Sequence, residues 1–433
     1  MNAVDRENAQ GEVVRDQKKG IEPQHGIALI VLAAAAVAAP WITARLGVVA
    51  FVADYAIAAL AWLLLRRAIA PRGAAIAIGV GLRIIFLFAT PQLSGDVWRY
   101  LFDGRTLASG VNPYNVLPDD PRVNHPELPT IYPPHAEVLF AVAHQLTAWR
   151  LLLLACEVAA MILLKDGALA LATFPPLLFE GAWSAHVEIV AALLLLVAWR
   201  RRSGAVFAAA VGMKVIPVAA LPALLLQSKR RTRFVLAFAF VLLLPVVPFV
   251  MTSPLMPGMR DYATRWIFNS PGYETTFLTI DRLNVAPHLK DAFTSIKDSW
   301  HLEPIAHFVY YHLYPDYLAR AALACIALAL IFAWRRDPIA SICALIICSP
   351  AIHPWYWLVV APLCFQMDLE RRDGDRSGAA TVAIALQLCA PFSYLLYGGV
   401  PKLAVYVLCY ALPLGLALAV LKSEKNGRLP QRH

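Results

Sequence analysis

The chain has 433 residues, 59% of them hydrophobic and 15% charged, against roughly 25% charged in a soluble globular domain. Its mean hydropathy of +0.59 calls for a solvent that tolerates apolar surface, and it excludes an ordinary cytosolic enzyme, a fibrous protein and a disordered one. The formal net charge of +9 points to no nucleic acid, because the basic residues cluster at the ends of apolar runs, the footprint of positive-inside topology.

In chain order, residues 1–26 mix acids and bases, carry no small-residue cleavage signal and read as a cytoplasmic tail. Apolar stretches follow at 27–46 and 47–65, two extra N-terminal spans within a segment 27–71, then at 72–90. A first long polar loop runs from about 91 to 149. Within it Pro134 to Ala148 reads as a single helix lying on the outer interface, being too short to cross and interrupted by Glu137 and His144. Further stretches lie at 150–165, 167–180, 185–199, 204–227 and 233–252. A second long loop covers about 253–317, and stretches at 318–334, 338–352, 355–368, 379–396 and 402–421 complete the set before a cytoplasmic tail at 422–433. The fold class is all-α, a polytopic membrane protein of about 12–14 transmembrane helices.

Lys165, Arg200 to Arg202, Lys229 to Arg231, Arg335, Arg336, Arg371, Arg372 and Arg376 should all be cytoplasmic. The segment from Ala205 to Leu226 has basic clusters at both ends and Lys214, Pro217 and Pro222 inside, so it is expected as a broken pair of short helices that enters and returns. Both long loops then fall on the extracytoplasmic side. The seven cysteines sit in apolar runs without paired spacing and suggest neither a disulfide framework nor a zinc site.

The densest polar constellation is Ser94-Gly95-Asp96-Val97-Trp98-Arg99-Tyr100-Leu101-Phe102-Asp103-Gly104-Arg105. A helix opening at Asp96 puts Asp96, Arg99, Tyr100 and Asp103 on one face at the membrane surface. There an aspartate can take a proton from a hydroxyl while arginines neutralise a phosphate. The plainer alternative makes Asp96 a helix cap and Arg99 with Asp103 an ion pair. The turn Phe179-Glu180-Gly181-Ala182-Trp183-Ser184-Ala185-His186-Val187-Glu188 brings Glu180, His186 and Glu188 close to bilayer depth, where ionisable groups are costly. Two candidate ligands without a third make a weak metal signal, so hydrogen bonding to sugar hydroxyls is preferred, with a structural pair as the alternative. Lys214, at the expected break, needs an anion: a lipid-linked phosphate, or an internal glutamate if it does not simply snorkel to the interface. In Ile352-His353-Pro354-Trp355-Tyr356-Trp357 the aromatics form either an interfacial belt or, through His353 and Tyr356, a clasp for a phosphate and a sugar ring.

The order of these motifs, SGDVWRYLFDGR, GVNPY, TIYPPHAEVLF, FEGAWSAHVE, GMKVIPVAALP and HPWYW, resembles the GT-C class of membrane glycosyltransferases that use polyprenyl-phosphate sugars, in its bacterial mannosyltransferase branch. The resemblance covers about residues 72–421, the expected catalytic domain. The FEGAWSAHVE motif departs from the family's small-Gly-His-Asn-Asp pattern, with Ser184-Ala185-His186-Val187-Glu188 in its place. The resemblance implies Asp96 as catalytic base and Lys214, His353, Arg99 and Arg105 as ligands of the donor phosphate. Tyr100, Asp103, Glu180, His186, Glu188 and Tyr356 are left for the sugar and the acceptor. It further implies transfer of a hexose, mannose foremost, from a polyprenyl-phosphate donor to a glycolipid or glycan hydroxyl, with inversion, at the outer face of a bacterial inner membrane. No metal and no cofactor is expected, since a sugar phosphate has a good leaving group and one carboxylate base suffices. Transfer of another polyprenyl-linked sugar, a secondary transporter and a purely structural membrane subunit are the alternatives.

Overall fold

The computed structural model describes residues 22–164, 167–370 and 378–426. Lys165, Arg371, Arg372, Arg376 and most of both expected tails lie outside the described residues. Among those described the chain is helical, with no strand and one isolated bridge between Phe268 and Ala351.

The first helix, Pro23–Leu65, takes in both N-terminal stretches and breaks between them at Gly47, whose φ of 81° and ψ of −177° suit glycine alone. Its second half is part of the core. The Tyr55 hydroxyl donates to the Leu388 carbonyl and the Trp62 indole N–H to the Ala170 carbonyl, each at 2.9 Å, and both rings are buried. Close packing and such interhelical hydrogen bonds hold helices together in a bilayer, where lipid tails are as apolar as the side chains.

Among the described residues, five helices are long and apolar enough to cross a membrane: Pro23–Leu65, Leu146–Leu164, Pro315–Ala333, Gly378–Leu396 and Lys402–Lys422. A sixth crossing results if Leu177–Trp183 and Glu188–Arg201, bent by 114° at their junction, count as one span. Length alone therefore identifies fewer crossings than the 12–14 expected, because several apolar stretches fold as short pieces such as Gly204–Met213 and Pro338–Ile347. The 204–227 stretch does break at Lys214, whose φ of −151° and ψ of 136° are extended. The helix from Pro134 is shorter than expected. It stops at Val142, and Leu146 to Ala148 belong to the following long helix, Leu146–Leu164.

The second long loop is not irregular. It folds into Pro257–Arg265, Pro271–Arg282, Val285–Lys297 and Glu303–His312, three of which carry a proline in the first helical positions, where its missing N–H costs nothing. This loop closes over the first. A Cβ added to Gly258 would meet the Pro129 carbonyl oxygen at 2.3 Å, so a glycine lets the Pro257–Arg265 helix seat against the 124–132 segment. Just beyond it, Phe268 N–H donates to Pro350 O at 3.1 Å and Ile352 N–H to Phe268 O at 2.8 Å, tying the loop to the strand-like lead-in of His353.

Candidate active site

Asp96 opens the helix Asp96–Ala108 as its first residue, and the capping position belongs to Gly95. Its carboxylate caps nothing. The Asp96 backbone N–H donates to Ser94 Oγ at 3.2 Å and the Tyr132 hydroxyl donates to Asp96 Oδ2 at 3.3 Å. The side chain is 23% exposed, enough to be reached from a cavity of about 440 Å³ that it lines with Tyr132, Lys214, Tyr262, His353 and Tyr356. Burial raises the Asp96 carboxyl above the ordinary aspartate value. The Lys214 charge, the Ser94 and Tyr132 hydrogen bonds and Arg99 work against that rise.

Lys214 sits at the helix break with its ammonium 2.8 Å from Glu188 Oε1. It also stands 5.3 Å from the Tyr132 ring centre and 4.9 Å from that of Tyr356. One tyrosine thus touches both Asp96, through its hydroxyl, and Lys214, through its face. Lys214 satisfies an internal glutamate, as the alternative reading of the sequence had it, and it faces the cavity as well.

The turn between Trp183 and Glu188 is held from behind. Trp149 Nε1 donates to Ala185 O at 2.8 Å, Arg150 Nη2 to Trp183 O at 2.7 Å, and Trp183 Nε1 to Thr90 O at 2.8 Å. Ala185 is fixed at a positive φ of 61°, a conformation that a non-glycine residue keeps only when its surroundings impose it. His186 lies flat on Trp355, with ring centres 4.2 Å apart. Trp355 in turn stacks on His353 at 4.4 Å, His353 on Phe268 at 4.7 Å and Phe268 on Tyr397 at 5.4 Å. Two histidines from distant motifs are thereby locked in one aromatic column.

Several sequence-predicted residues sit elsewhere than expected. Arg99 borders the cavity, but its guanidinium donates to three backbone carbonyls, Leu128 at 3.1 Å, Asn124 at 3.1 Å and His125 at 2.8 Å. It folds the first loop with three of its five N–H groups. Arg105 lies away from the cavity, 46% exposed, beside Asp120 at 3.6 Å. Asp120 itself is held down to about 2 by its hydrogen bond from Arg122. Tyr100, Asp103, Glu180, His186 and Glu188 are all fully buried and are not among the residues that line the cavity; Tyr100, His186 and Glu188 back it through Tyr132, Trp355 and Lys214. Asp103 does not pair with Arg99. It faces Thr130, whose hydroxyl donates to Glu137 Oε1 at 2.7 Å, and the Asp103 oxygens have no hydrogen-bond partner. Among the described residues, no three His, Cys, Asp or Glu side chains group to hold a metal ion.

The sequence reading missed the contributions of the second loop and of the last spans. Tyr262 joins its hydroxyl to that of Tyr356, His125 and Trp266 meet in the cavity lining with ring centres 4.5 Å apart and planes tilted by 39°, and Tyr394 donates to Glu180 Oε2 at 2.9 Å. Only the aromatic density of Tyr262, Trp266 and Phe268 could have flagged them.

The cavity thus pairs a reachable carboxylate with a cation one ring away. Residues 20–128 match the family model described as MptA_B family, alpha-(1->6)-mannopyranosyltransferase, N-terminal domain. The match takes in both N-terminal spans and Asp96, and it supports a GT-C mannosyltransferase: the protein is a membrane glycosyltransferase. No curated protein and no solved structure matches the chain.

Proposed function

We propose that the protein transfers mannose from a polyprenyl-phosphate donor to a hydroxyl of a glycolipid or glycan, with inversion, on the extracytoplasmic side of a bacterial inner membrane. The observation that carries this is the junction of two cavities. The polar one holding Asp96 meets an apolar groove of about 480 Å³, and Tyr132, Lys214, Tyr262 and Tyr356 line both. The groove runs between Met256, Met259, Ala324, Ala327, Leu345 and Ile346, surfaces suited to an isoprenoid chain and to little else. A lipid phosphate whose chain lies in the groove puts its charge at Lys214 and its sugar in the cavity.

Asp96 then takes the proton of the acceptor hydroxyl as that oxygen attacks the anomeric carbon. The bond to the phosphate oxygen breaks from the opposite face, with its electron pair passing to the phosphate. Lys214 has three donor hydrogens, so it can keep Glu188 and still meet the leaving phosphate, aided by His353. Glu188 holds the lysine in place from the buried side. An α-linked product, as in the matched family's description, follows from a single inverting displacement on a β-linked donor.

Radiolabelled polyprenyl-phosphate mannose, supplied to membranes containing the protein, tests the reading. Wild type is expected to label lipid or glycan, and Asp96→Asn to lose about 100-fold or more, the lower range of general-base contributions. Full activity in Asp96→Asn would remove the base from the scheme, and an inactive wild type would remove the donor.

A further inference from the structure

His186 is buried, touches no part of the cavity and yet has a carboxylate off each ring nitrogen. Nδ1 lies 3.9 Å from Asp96 Oδ2 and 3.5 Å from the Tyr100 hydroxyl, and Nε2 lies 3.6 Å from Glu180 Oε2. The ring cannot turn away, being clamped face to face on Trp355 with an interplanar angle of 12°. Glu180 is anchored too, accepting from Tyr394, while its other oxygen has no partner. We propose that Glu180 and His186 form a positioning dyad that sets the basicity of Asp96, a reading that rests on Asp96 as the base.

The chemistry follows from the tautomer. A glutamate facing Nε2 favours the hydrogen on that nitrogen, which leaves the Nδ1 lone pair directed at Tyr100 and Asp96. Before transfer, lone pair and carboxylate oxygen repel. Once Asp96 has taken the acceptor's proton, its new O–H can donate to Nδ1, so the protonated base is stabilised relative to the ionised one. The proton balance is closed: it leaves the acceptor oxygen as the bond to the anomeric carbon forms, rests on Asp96 against Nδ1, and returns to water through the cavity after the product departs. The charged and titratable groups facing Asp96 are Lys214, Arg99, His186, Glu180 and Glu188, with the hydroxyls of Tyr100, Tyr132, Tyr262, Tyr356, Tyr394 and Tyr397. Those facing His186 are Asp96, Tyr100, Glu180, Lys214 and His353. Glu180 stands behind the imidazole and its charge also acts on Asp96 directly, so the His186 variants, which leave Glu180 in place, report the imidazole's part alone.

The test is the pH dependence of transfer in membranes carrying wild type, Glu180→Gln, His186→Asn or His186→Ala, with donor and acceptor each varied. Glu180→Gln keeps the size and the Tyr394 bond, so it reports even if the histidine variants fold poorly. The expected result is a kcat lowered about 10-fold with both KM values within about twofold, and an acidic limb moved to lower pH because the base has become weaker. His186→Asn, which can place an acceptor near the Nδ1 position, should retain more activity than His186→Ala. An acidic limb unmoved in Glu180→Gln, or an effect confined to KM, would overturn the dyad. Asp96→Asn separates the two readings: if it stays active the base assignment falls, whereas an inactive Asp96→Asn beside an unmoved limb in Glu180→Gln sinks the dyad alone.

Discussion

Lys214 stands between a permanent anion and a visiting one. Its pair with Glu188 is almost dry, the lysine side chain being 14% exposed and the glutamate fully buried, so removing the cation strands a charge at a cost of about 3 kcal/mol. Lys214→Met is therefore expected to lose both thermal stability in detergent and transfer. Adding Glu188→Gln should restore the melting temperature and leave transfer down by about 100-fold, the value of a single charge partner in the transition state. Restored transfer in the double variant would show that the lysine serves only its glutamate. Asp103 and Glu137 give a second residue-scale expectation. Both carboxyls are raised chiefly by burial, and Glu137 further by the Asp103 charge, so the folded state holds protons that the unfolded chain releases above about pH 4. Stability from this pair is present in acid and falls as pH rises through the folded value, about 7 for Asp103. Asp103→Asn should flatten that decline in inactivation temperature between about pH 4 and 7. A slope unchanged by the substitution would show that the pair ionises as freely as in water. That Asp96, Lys214 and His353 would meet, as they do around one cavity, was legible because costly groups sat beside apolar runs. The role of Arg99 was not, since the three carbonyls it binds come from a loop fold that spacing does not specify.

Among the elements, the two outer loops matter more as a pair than singly. Pro257–Arg265 delivers Tyr262 to Tyr356, and it approaches the backbone of the first loop closely at Gly258. Gly258→Ala should push these segments apart and lower transfer several-fold while moving the melting temperature little, because few buried side chains lie in that helix. A variant with normal rate would mean that the Tyr262 contact is dispensable. The break at Lys214 was readable from its lysine and two prolines, and the start of the helix at Pro134 from the prolines before it. The helices of the second loop were not, because polarity and proline content mask a helix whose apolar face is short. Nor could the end at Val142 be read, as nothing in His144-Gln145-Leu146 marks where one helix stops and the next begins.

At the level of the whole molecule, the class of protein was visible in composition alone, and the partition of labour between two cavities was not. That partition depends on Tyr132, Lys214, Tyr262 and Tyr356, which are far apart in the chain and meet only because the loops fold over the broken helices. If the apolar groove holds the donor's chain, truncated isoprenoid donors should bind more weakly by up to about 0.8 kcal/mol per lost methylene that was buried, read as a rising KM at nearly constant kcat. A KM indifferent to chain length would leave the groove without a donor role.

The shared wall between groove and cavity also bears on the order of arrival. On the proposed function, a lipid-linked donor reaches the groove by lateral diffusion in the bilayer and the acceptor enters the cavity that His125 and Trp266 help to line, so neither has to leave for the other to dock. Direct displacement needs both present at once, and two separate doorways make that possible in either sequence. Initial rates plotted against each substrate should then give intersecting lines, and the spent lipid carrier can slide back into the membrane while the lengthened glycan is still in place.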